Sequence, residues 1–163
     1  GKELEVTTGL LLTCPEIARL SIGVELGKGD LTSKAVCTTV VCHLGSGIET
    51  INSEDQRRLL VKGKSLANNC AYIMTNPPST ETTTDIIFGA HNMICENGII
   101  IAQSRPFEKE NGECVSEIDV QKLSRLRMLA GKDECSGGCE IAFNKKTTII
   151  TRKINPQIGR AHV

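Results

Sequence analysis

The residues best placed for chemistry follow an apolar run that ends at residue 26. Residues 20–26 (LSIGVEL) predict a buried strand, and this strand stops at the polar turn Gly27-Lys28-Gly29-Asp30. Proteins of the α/β class commonly place chemistry where such a strand ends in a polar turn. Taken alone, Gly27 also suits an ordinary turn that needs a positive φ angle.

Eight cysteines are the other residues with reactive potential. Cys70 and Cys95 lie inside apolar runs, where a free cysteine behaves as a small hydrophobic side chain. No secretion signal accompanies them, so we expect reduced thiols rather than disulfides. A nucleophilic role for Cys37 or Cys42 is disfavoured, because a reactive thiol needs an electropositive, partly exposed setting and the run around Cys37 is apolar.

A zinc site is an alternative use of the thiols. Cys37 and Cys42 together with Cys135 and Cys139 could supply four thiolates, but the spacing is looser than the usual Cys-x2-Cys pair. A flexible polar loop with unrelated thiols is the simpler interpretation, and we predict no metal ligands. The two histidines in strand-like runs, at positions 43 and 91, are typical of core histidines rather than ligands.

Apolar runs and turn residues predict strands that alternate with two helices. The predicted strands are residues 20–26, 38–44, 70–74, 85–94, 99–103, 115–119 and, more weakly, 147–151. Interleaved strands and helices indicate an α/β or α+β layer structure rather than a helical bundle. The element order predicts a mixed sheet with both helices on one face.

The first predicted helix begins at Ser53 and ends near Asn68. Gln56 follows Ser53 by three residues, which is the spacing of a capping box. Arg57 and Arg58 are most simply a solvated helix face. Because two cations near a helix N-terminus are mildly unfavourable, binding to a partner or a carboxylate is the alternative.

The second predicted helix covers about residues 120–130, with Asp119 as its N-cap and Gly131 as its end. Between the strands at 85–94 and 99–103, Asn97-Gly98 predicts a hairpin. Asn-Gly between two apolar runs favours a type I′ turn, since both central residues then need positive φ.

Composition limits the classes of function. Lysine plus arginine (19) balances aspartate plus glutamate (19) over 163 residues, which gives no electrostatic reason to expect nucleic acid or an anionic membrane as partner. No run approaches the roughly 18 apolar residues that a membrane span needs. The first residues lack the apolar core of a signal peptide, and we expect a cytoplasmic protein. The chain has no initiator methionine, which is consistent with a start inside a longer protein.

Several short motifs occur in a specific order between about residues 5 and 130. They are residues 22–26 (IGVEL), 55–63 (DQRRLLVKG), 83–85 (TTD), 89–94 (GAHNMI), 96–98 (ENG), 102–104 (AQS) and 116–120 (SEIDV). Together they resemble the nitrilase-like (carbon–nitrogen hydrolase) glutaminase domain of glutamine-dependent NAD(+) synthetases. Residues 151–156 (TRKINP) resemble the linker into the synthetase domain, whereas residues 159–163 do not fit the family.

The resemblance implies an α/β fold, the nitrilase-like four-layer α-β-β-α sandwich, incomplete in this chain. Residues 1–145 would form a partial glutaminase domain, and residues 146–163 a linker toward an absent synthetase domain. In the family, a cysteine thiolate attacks the glutamine amide carbon, forms a thioester and expels ammonia. A glutamate moves the proton and a lysine stabilises the oxyanion. The ammonia then amidates deamido-NAD in an ATP-using domain.

By the same resemblance, the slot of the nucleophile falls on Gly27, or on Lys28 if the register slips by one residue, and neither can form a thioester. A substrate-contacting serine of the family corresponds to Gly47 and a basic residue to Ser53. The family's glutamate and lysine lie upstream of this chain's start. We therefore expect a chain that does not hydrolyse glutamine alone and holds no cofactor, since ATP and deamido-NAD belong to the synthetase domain.

The alternative function is a non-catalytic structural or assembly module. A fragment of a two-sheet sandwich would expose apolar sheet surface and unpaired strand edges, which favour association. Such a module would self-associate or pair with other NAD(+) synthetase subunits.

Overall fold

The computed structural model describes residues 10–27, 38–108, 113–132, 139–142 and 150–153. Within these residues, eight strands and two α-helices are present. The strands are β1 (Leu10–Thr13), β2 (Ser21–Leu26), β3 (Val40–Leu44), β4 (Ala71–Thr75), β5 (Met93–Glu96), β6 (Ile99–Gln103), β7 (Cys139–Ala142) and β8 (Ile150–Lys153). The helices are α1 (Ser53–Asn68) and α2 (Val120–Leu129). A turn of 3-10 helix covers Ser79–Glu81.

The strands form one mixed sheet in the order β6-β5-β4-β3-β2-β1-β7-β8. The central strands β2, β3 and β4 are parallel, and β7 is parallel to β1. The β1–β2, β4–β5, β5–β6 and β7–β8 pairs are antiparallel. The carboxyl ends of β2 and β3 therefore lie side by side at one edge of the sheet.

The two helices pack on opposite faces of the sheet. Val41 and Tyr72 are register partners and lie in the same buried cluster as Val61 of α1. Their strand neighbours Val40 and Ala71 cluster instead with Leu123 of α2. Successive residues of a strand point to opposite faces, so the prediction that both helices share one face is wrong.

This outcome follows from the composition of the central strands. Where the parallel strands are covered on both faces, as at Val40 and Val41 of β3, they are continuously apolar rather than alternating. The run at 38–44 has this continuous pattern, which identifies a buried strand without indicating where each helix lies.

The predicted hairpin is confirmed, and so are the residues predicted to begin and end the second helix. Asn97 and Gly98 have φ angles of 45° and 85°, as a type I′ turn requires. The side chain of Asp119 accepts a hydrogen bond of 2.9 Å from the backbone N–H of Lys122 at the start of α2. Gly131 follows this helix with φ 65°.

The capping box at the start of α1 is not formed. The helix begins at the predicted Ser53, but Asn52 is the N-cap, with φ 65° and no side-chain hydrogen bond to the helix. The Ser53 hydroxyl instead accepts from the Thr50 N–H and donates to the Glu49 carboxylate. The Glu49 carboxylate, which is close in sequence, thus binds the Ser53 hydroxyl in place of the N–H groups at the helix terminus.

Two predicted strand segments are not strands. Residues 85–92 are irregular and precede β5. Ile87 is half exposed, and its carbonyl accepts from the Glu49 N–H instead of from a strand neighbour. Residues 115–119 are also irregular, and Val115 is exposed. The sequence analysis did not predict β1 and β7, while β8 overlaps the predicted 147–151 strand at two positions.

Two glycines give opposite expectations for stability. An alanine Cβ at Gly98 would lie 3.0 Å from the Leu66 Cβ, at a φ of +85°. We expect Gly98→Ala to lower the free energy of unfolding by about 1–2 kcal/mol. Gly63→Ala, in the exposed interior of α1 with nothing within 4 Å of the new Cβ, should raise it by about 0.5–1 kcal/mol. Urea unfolding measures both, and a stabilising Gly98→Ala would contradict the turn geometry.

Candidate functional site

A cleft of about 420 Å³ lies at the carboxyl ends of β2 and β3 and against the start of α1. Its lining residues are Gly27, His43, Gly45, Ser46, Gly47, Ile48, Thr50, Ser53, Gln56, Arg57, Leu60 and Met74. The structure therefore brings Gly27 to the wall of the same cleft as Gly47 and Ser53. Parallel strand ends are where ligands commonly bind in α/β proteins.

Gly27 contributes backbone and no functional group to this cleft. Its φ is +74°, and its N–H donates to the Leu44 carbonyl over 3.0 Å. A Cβ built on it would meet nothing within 4 Å. The position has room for a side chain, but any L-residue there would adopt a left-handed backbone at a cost of about 1 kcal/mol.

The loop after β3 approaches its neighbour closely at Gly45. A Cβ at Gly45 would lie 2.7 Å from the Asn76 Oδ1 atom and 2.9 Å from the Thr75 carbonyl oxygen, so this position has no space for a side chain. At Gly47 the nearest atom would be the same Oδ1 at 3.6 Å, an ordinary contact. A serine would therefore fit at position 47 but not at position 45.

Ser53, Glu49 and Arg57 form a buried polar cluster at the start of α1. The Arg57 Nη2 atom lies 2.9 Å from the Glu49 carboxylate, and the Ser53 hydroxyl donates to the same carboxylate. Burial alone would raise the pKa of Glu49, but the hydrogen bonds from Arg57 and Ser53 outweigh it and hold the pKa below its ordinary value. Ser53 is thus committed to an internal contact.

Arg57 also holds His91. Its Nε atom donates to the His91 Nδ1 atom over 3.3 Å, and His91 is fully buried. Burial and the nearby Arg57 guanidinium both lower the pKa of His91, which favours the neutral ring that can accept this bond. The prediction of a solvated Arg57 is wrong, since only 8% of the residue is exposed, whereas Arg58 is partly exposed.

A second buried network lies behind the cleft, around Glu25 of β2. The Glu25 Oε2 atom accepts from the Tyr72 hydroxyl at 2.7 Å and lies 3.3 Å from the His43 Nδ1 atom. The Lys64 Nζ atom of α1 lies 3.5 Å away. The His43 ring stacks on the Tyr72 ring, with centroids 5.9 Å apart.

The network keeps the Glu25 carboxylate ionised. Burial alone would raise the pKa of Glu25, but the hydrogen bonds from His43 and Tyr72 and the charge of Lys64 together lower it. Burial and the adjacent Glu25 raise the pKa of Tyr72, so its phenol remains a donor. His43 both lines the cleft and contacts this carboxylate; the sequence analysis had interpreted it only as a core histidine.

The described thiols lie outside the cleft. Cys14, Cys42, Cys70, Cys95 and Cys114 are free, and none of them lines it. Burial raises the pKa of Cys42, and it raises the pKa of Cys70 to about 12. Such thiols stay protonated at neutral pH.

The metal alternative is only partly covered by the structure. Among the described residues, no three or more histidine, cysteine, aspartate or glutamate side chains are grouped to hold a metal ion. Cys37 and Cys135 lie outside these residues. The possible zinc site that includes them is therefore not tested, and the absence of metal ligands stays a prediction. In the described ranges, neither α1 nor α2 has the length and apolar composition to cross a membrane.

Glu25 should give stability a specific pH dependence. Because its folded pKa lies below the unfolded value of 4.5, its contribution is present above pH 4.5 and lost as pH falls through the folded pKa. We expect Glu25→Gln to lower the free energy of unfolding by about 1–3 kcal/mol at pH 7 and by less at pH 3. Glu54→Gln, at a partly exposed ion pair with Arg58, should cost under about 1 kcal/mol. A pH-independent effect of Glu25→Gln in urea unfolding would contradict the network.

Comparisons with known proteins identify relatives. No protein-family model matches the chain. A glutamine-dependent NAD(+) synthetase of Mycobacterium leprae is 36% identical over 92 residues, which are 55% of this chain and 14% of the relative. The enzyme of the same name from Mycobacterium tuberculosis H37Rv is 35% identical over 137 residues, which are 78% of this chain and 20% of the relative. The chain thus spans about one fifth of that relative.

Solved structures show the same fold at low identity. A glutamine-dependent NAD(+) synthetase from Cytophaga hutchinsonii aligns with a TM-score of 0.52 and 20% identity, over 61% of this chain and 16% of that chain. Saccharomyces cerevisiae Nit3, a member of the nitrilase superfamily, aligns with a TM-score of 0.52 and 14% identity, over 67% of this chain and 41% of that chain. A carbon–nitrogen hydrolase from Helicobacter pylori aligns with a TM-score of 0.53 and 14% identity, over 71% of this chain and 46% of that chain.

These alignments confirm the predicted fold class. The mixed sheet with flanking helices has the same α/β fold as the aligned parts of these structures, which include members of the nitrilase superfamily. By sequence, the chain is a homologue of part of the glutamine-dependent NAD(+) synthetases, with 35% identity over 78% of its length to the relative from Mycobacterium tuberculosis.

Proposed function

We propose that this chain is a non-catalytic counterpart of the nitrilase-like glutaminase domain. The observation that carries the proposal is Gly27, which stands at the end of β2 on the wall of the cleft, where the family resemblance places the nucleophile. A glycine cannot attack an amide carbon, so the thioester that releases ammonia cannot form there.

No described thiol is placed to replace the missing nucleophile. Cys42 lies two residues from the end of β3, but it packs with the α2-side cluster around Val40, on the face opposite to His43. Its raised pKa further disfavours the thiolate. Two polar side chains of the cleft are engaged by buried carboxylates behind it: His43 contacts Glu25, and Ser53 donates to Glu49.

The proposal concerns this chain and not the whole reaction of its relatives. ATP and deamido-NAD would be bound by a separate synthetase domain, and this chain would hold no cofactor of its own. The setting we propose is the cytoplasm, where free thiols such as Cys70 and Cys95 persist.

Ammonia release from glutamine tests the loss of catalysis. We expect no turnover by the unmodified chain, and none by Gly27→Cys, because a thiol alone lacks the proton-transfer and oxyanion-stabilising partners. Alkylation of the new thiol, read by mass spectrometry, serves as the control that Gly27→Cys exposes its sulfur in the cleft. Turnover by the unmodified chain would refute the proposal, and turnover by Gly27→Cys would show that the missing thiol is its only defect.

A second function, assembly, is favoured by the open part of the α2-side face. Val24 and Leu26 of β2 alternate with Glu25 and therefore share one face, on which Leu44 is the register partner of Leu26. These side chains are 38%, 71% and 48% exposed. We propose that this apolar sheet surface associates with a second copy of the chain or with another NAD(+) synthetase subunit.

Molar mass from light scattering tests the assembly proposal. We expect the unmodified chain to form dimers or larger species at micromolar concentration, and the double variant Leu26→Ser/Leu44→Ser to shift it toward monomer. Leu59→Ser is the matched control, since Leu59 is 76% exposed on α1, away from this sheet face. A strictly monomeric unmodified chain would contradict association with itself, and equal effects of both variants would contradict the assignment to this face.

A further inference from the structure

His91 connects the irregular segment 85–92 to α1. Its Nδ1 atom accepts from the Arg57 Nε atom, and its backbone carbonyl accepts from the Asn76 Nδ2 atom over 2.7 Å. Arg57 in turn donates to Glu49, in the loop after β3. One guanidinium therefore links the segment that contains His91 to a loop that forms part of the cleft wall.

The contact with Arg57 fixes which nitrogen of the His91 ring carries the hydrogen. A guanidinium can only donate, so Nδ1 is the acceptor and the neutral ring holds its hydrogen on Nε2. A second proton would have to bind Nδ1, the atom that faces Arg57. Because the ring is fully buried, the charged ring and the hydrogen bond from Arg57 exclude each other.

The groups that face His91 favour the neutral ring. They are Arg57, Arg58 and Glu54 of α1, Glu49 of the loop before it, and the uncharged Gln103 of β6 and Asn76 after β4. Each of the two carboxylates is already paired with one of the two arginines. Burial and the charge of Arg57 are the largest effects on the ring, and they hold the pKa of His91 below its ordinary value.

The segment 85–92 lies outside the sheet, and its backbone is bonded to other loops. The Ile87 carbonyl accepts from the Glu49 N–H, and the Ala90 N–H donates to the Pro77 carbonyl. Ile87 is half exposed. Segments with such contacts open locally at a lower free-energy cost than a buried sheet. Loss of the guanidinium contact can therefore open this segment without unfolding the protein.

We propose that His91 is an acid-sensitive latch. When its ring takes up a proton, it separates from the Arg57 guanidinium, and the segment 85–92 opens together with the loop that carries Glu49. Because the neighbours of Glu49 in this loop line the cleft, the opening changes the cleft wall. The latch does not depend on the proposed loss of catalysis, since it uses neither Gly27 nor any thiol.

The direction of the pH effect follows from the proton that opening takes up. In the closed form the pKa of His91 lies below the ordinary value of 6.5, which the open form regains. The latch is therefore fully stable above this value and weakens as pH falls from it toward the closed-form pKa. With one proton linked, opening increases by up to about tenfold for each pH unit in this window. The pKa of Glu49 is lowered, so its carboxylate stays ionised there.

Amide hydrogen exchange at about pH 7.5 and about pH 5, corrected for intrinsic exchange rates, tests the latch. The reporters are the N–H groups of Glu49 and Ala90, and we expect their protection to fall about fivefold or more at the lower pH. The reference is the Ala71 N–H, which donates to the Thr39 carbonyl at the start of the buried strands. It should stay about tenfold or more better protected than both reporters, because local opening does not expose it.

Two variants assign the response to one histidine. His91→Gln keeps an acceptor for Arg57 but cannot take up the proton, so the protection of Glu49 and Ala90 should change less than about twofold between the two pH values. His43→Gln is the matched control, since it removes a second buried histidine, and it should keep the full response. An unchanged response in His91→Gln, or its loss in His43→Gln, would overturn the proposal.

The unmodified protein decides the matter if His91→Gln fails to fold. The NMR signals of the ring nitrogens report the tautomer and the charge of each histidine. We expect His91 to hold its hydrogen on Nε2 at the higher pH, and to take up a proton with the same midpoint as the loss of protection at Glu49. A ring that stays neutral while protection is lost would contradict the latch. So would equal protection of Glu49 and Ala71 at the lower pH, which indicates global unfolding.

Discussion

The Glu25 carboxylate is buried within the sheet, and the walls of the cleft depend on how it is paired. An ionised carboxylate away from water is costly unless charged or hydrogen-bonding groups surround it. Its partners come from β3, β4 and α1, as His43, Tyr72 and Lys64. Because all of them converge on Oε2, the ends of β2 and β3 and the position of α1 are tied to one atom.

The Arg57 cluster applies the same constraint at the other side of the cleft. Its guanidinium connects α1 to Glu49 in the loop after β3 and to His91 just before β5. The irregular segment 85–92 is held partly by this loop, through the Glu49 N–H and the Ile87 carbonyl. A segment fixed by side chains and by a backbone N–H group of a loop needs no strand neighbour, which explains how an apolar run can remain outside the sheet.

The sequence was sufficient for features that depend on local chemistry. The Asn97-Gly98 turn and the Asp119 cap follow from backbone preferences of a few neighbouring residues, and they are present. The start of α1 at Ser53 is also as predicted, although the capping box that indicated it is not formed. The strands at 38–44 and 70–74 were evident from apolar β-branched runs. The face on which each helix packs was not evident from the sequence. A strand buried on both sides has no polar alternation that would indicate which face each helix covers.

Long-range polar pairing was the part of the site that the sequence could not reveal. Gly27, Gly47 and Ser53 were selected through the family resemblance, and they do line one cleft. The sequence analysis treated Arg57 and Arg58 alike, although the first is buried against His91 and the second is partly exposed. The signal that separates them is helical position, since Arg57 and Val61 are one turn apart on the buried side of α1.

The left-handed backbone at Gly27 has a consequence for how this position could change. Glycine adopts that conformation without penalty, whereas a residue with a Cβ atom is destabilised in it. A single codon change from glycine to cysteine would add sulfur to the wall of the cleft but would meet an unfavourable backbone. Replacement of Gly27 is therefore opposed by backbone conformation, although the space around the position is open.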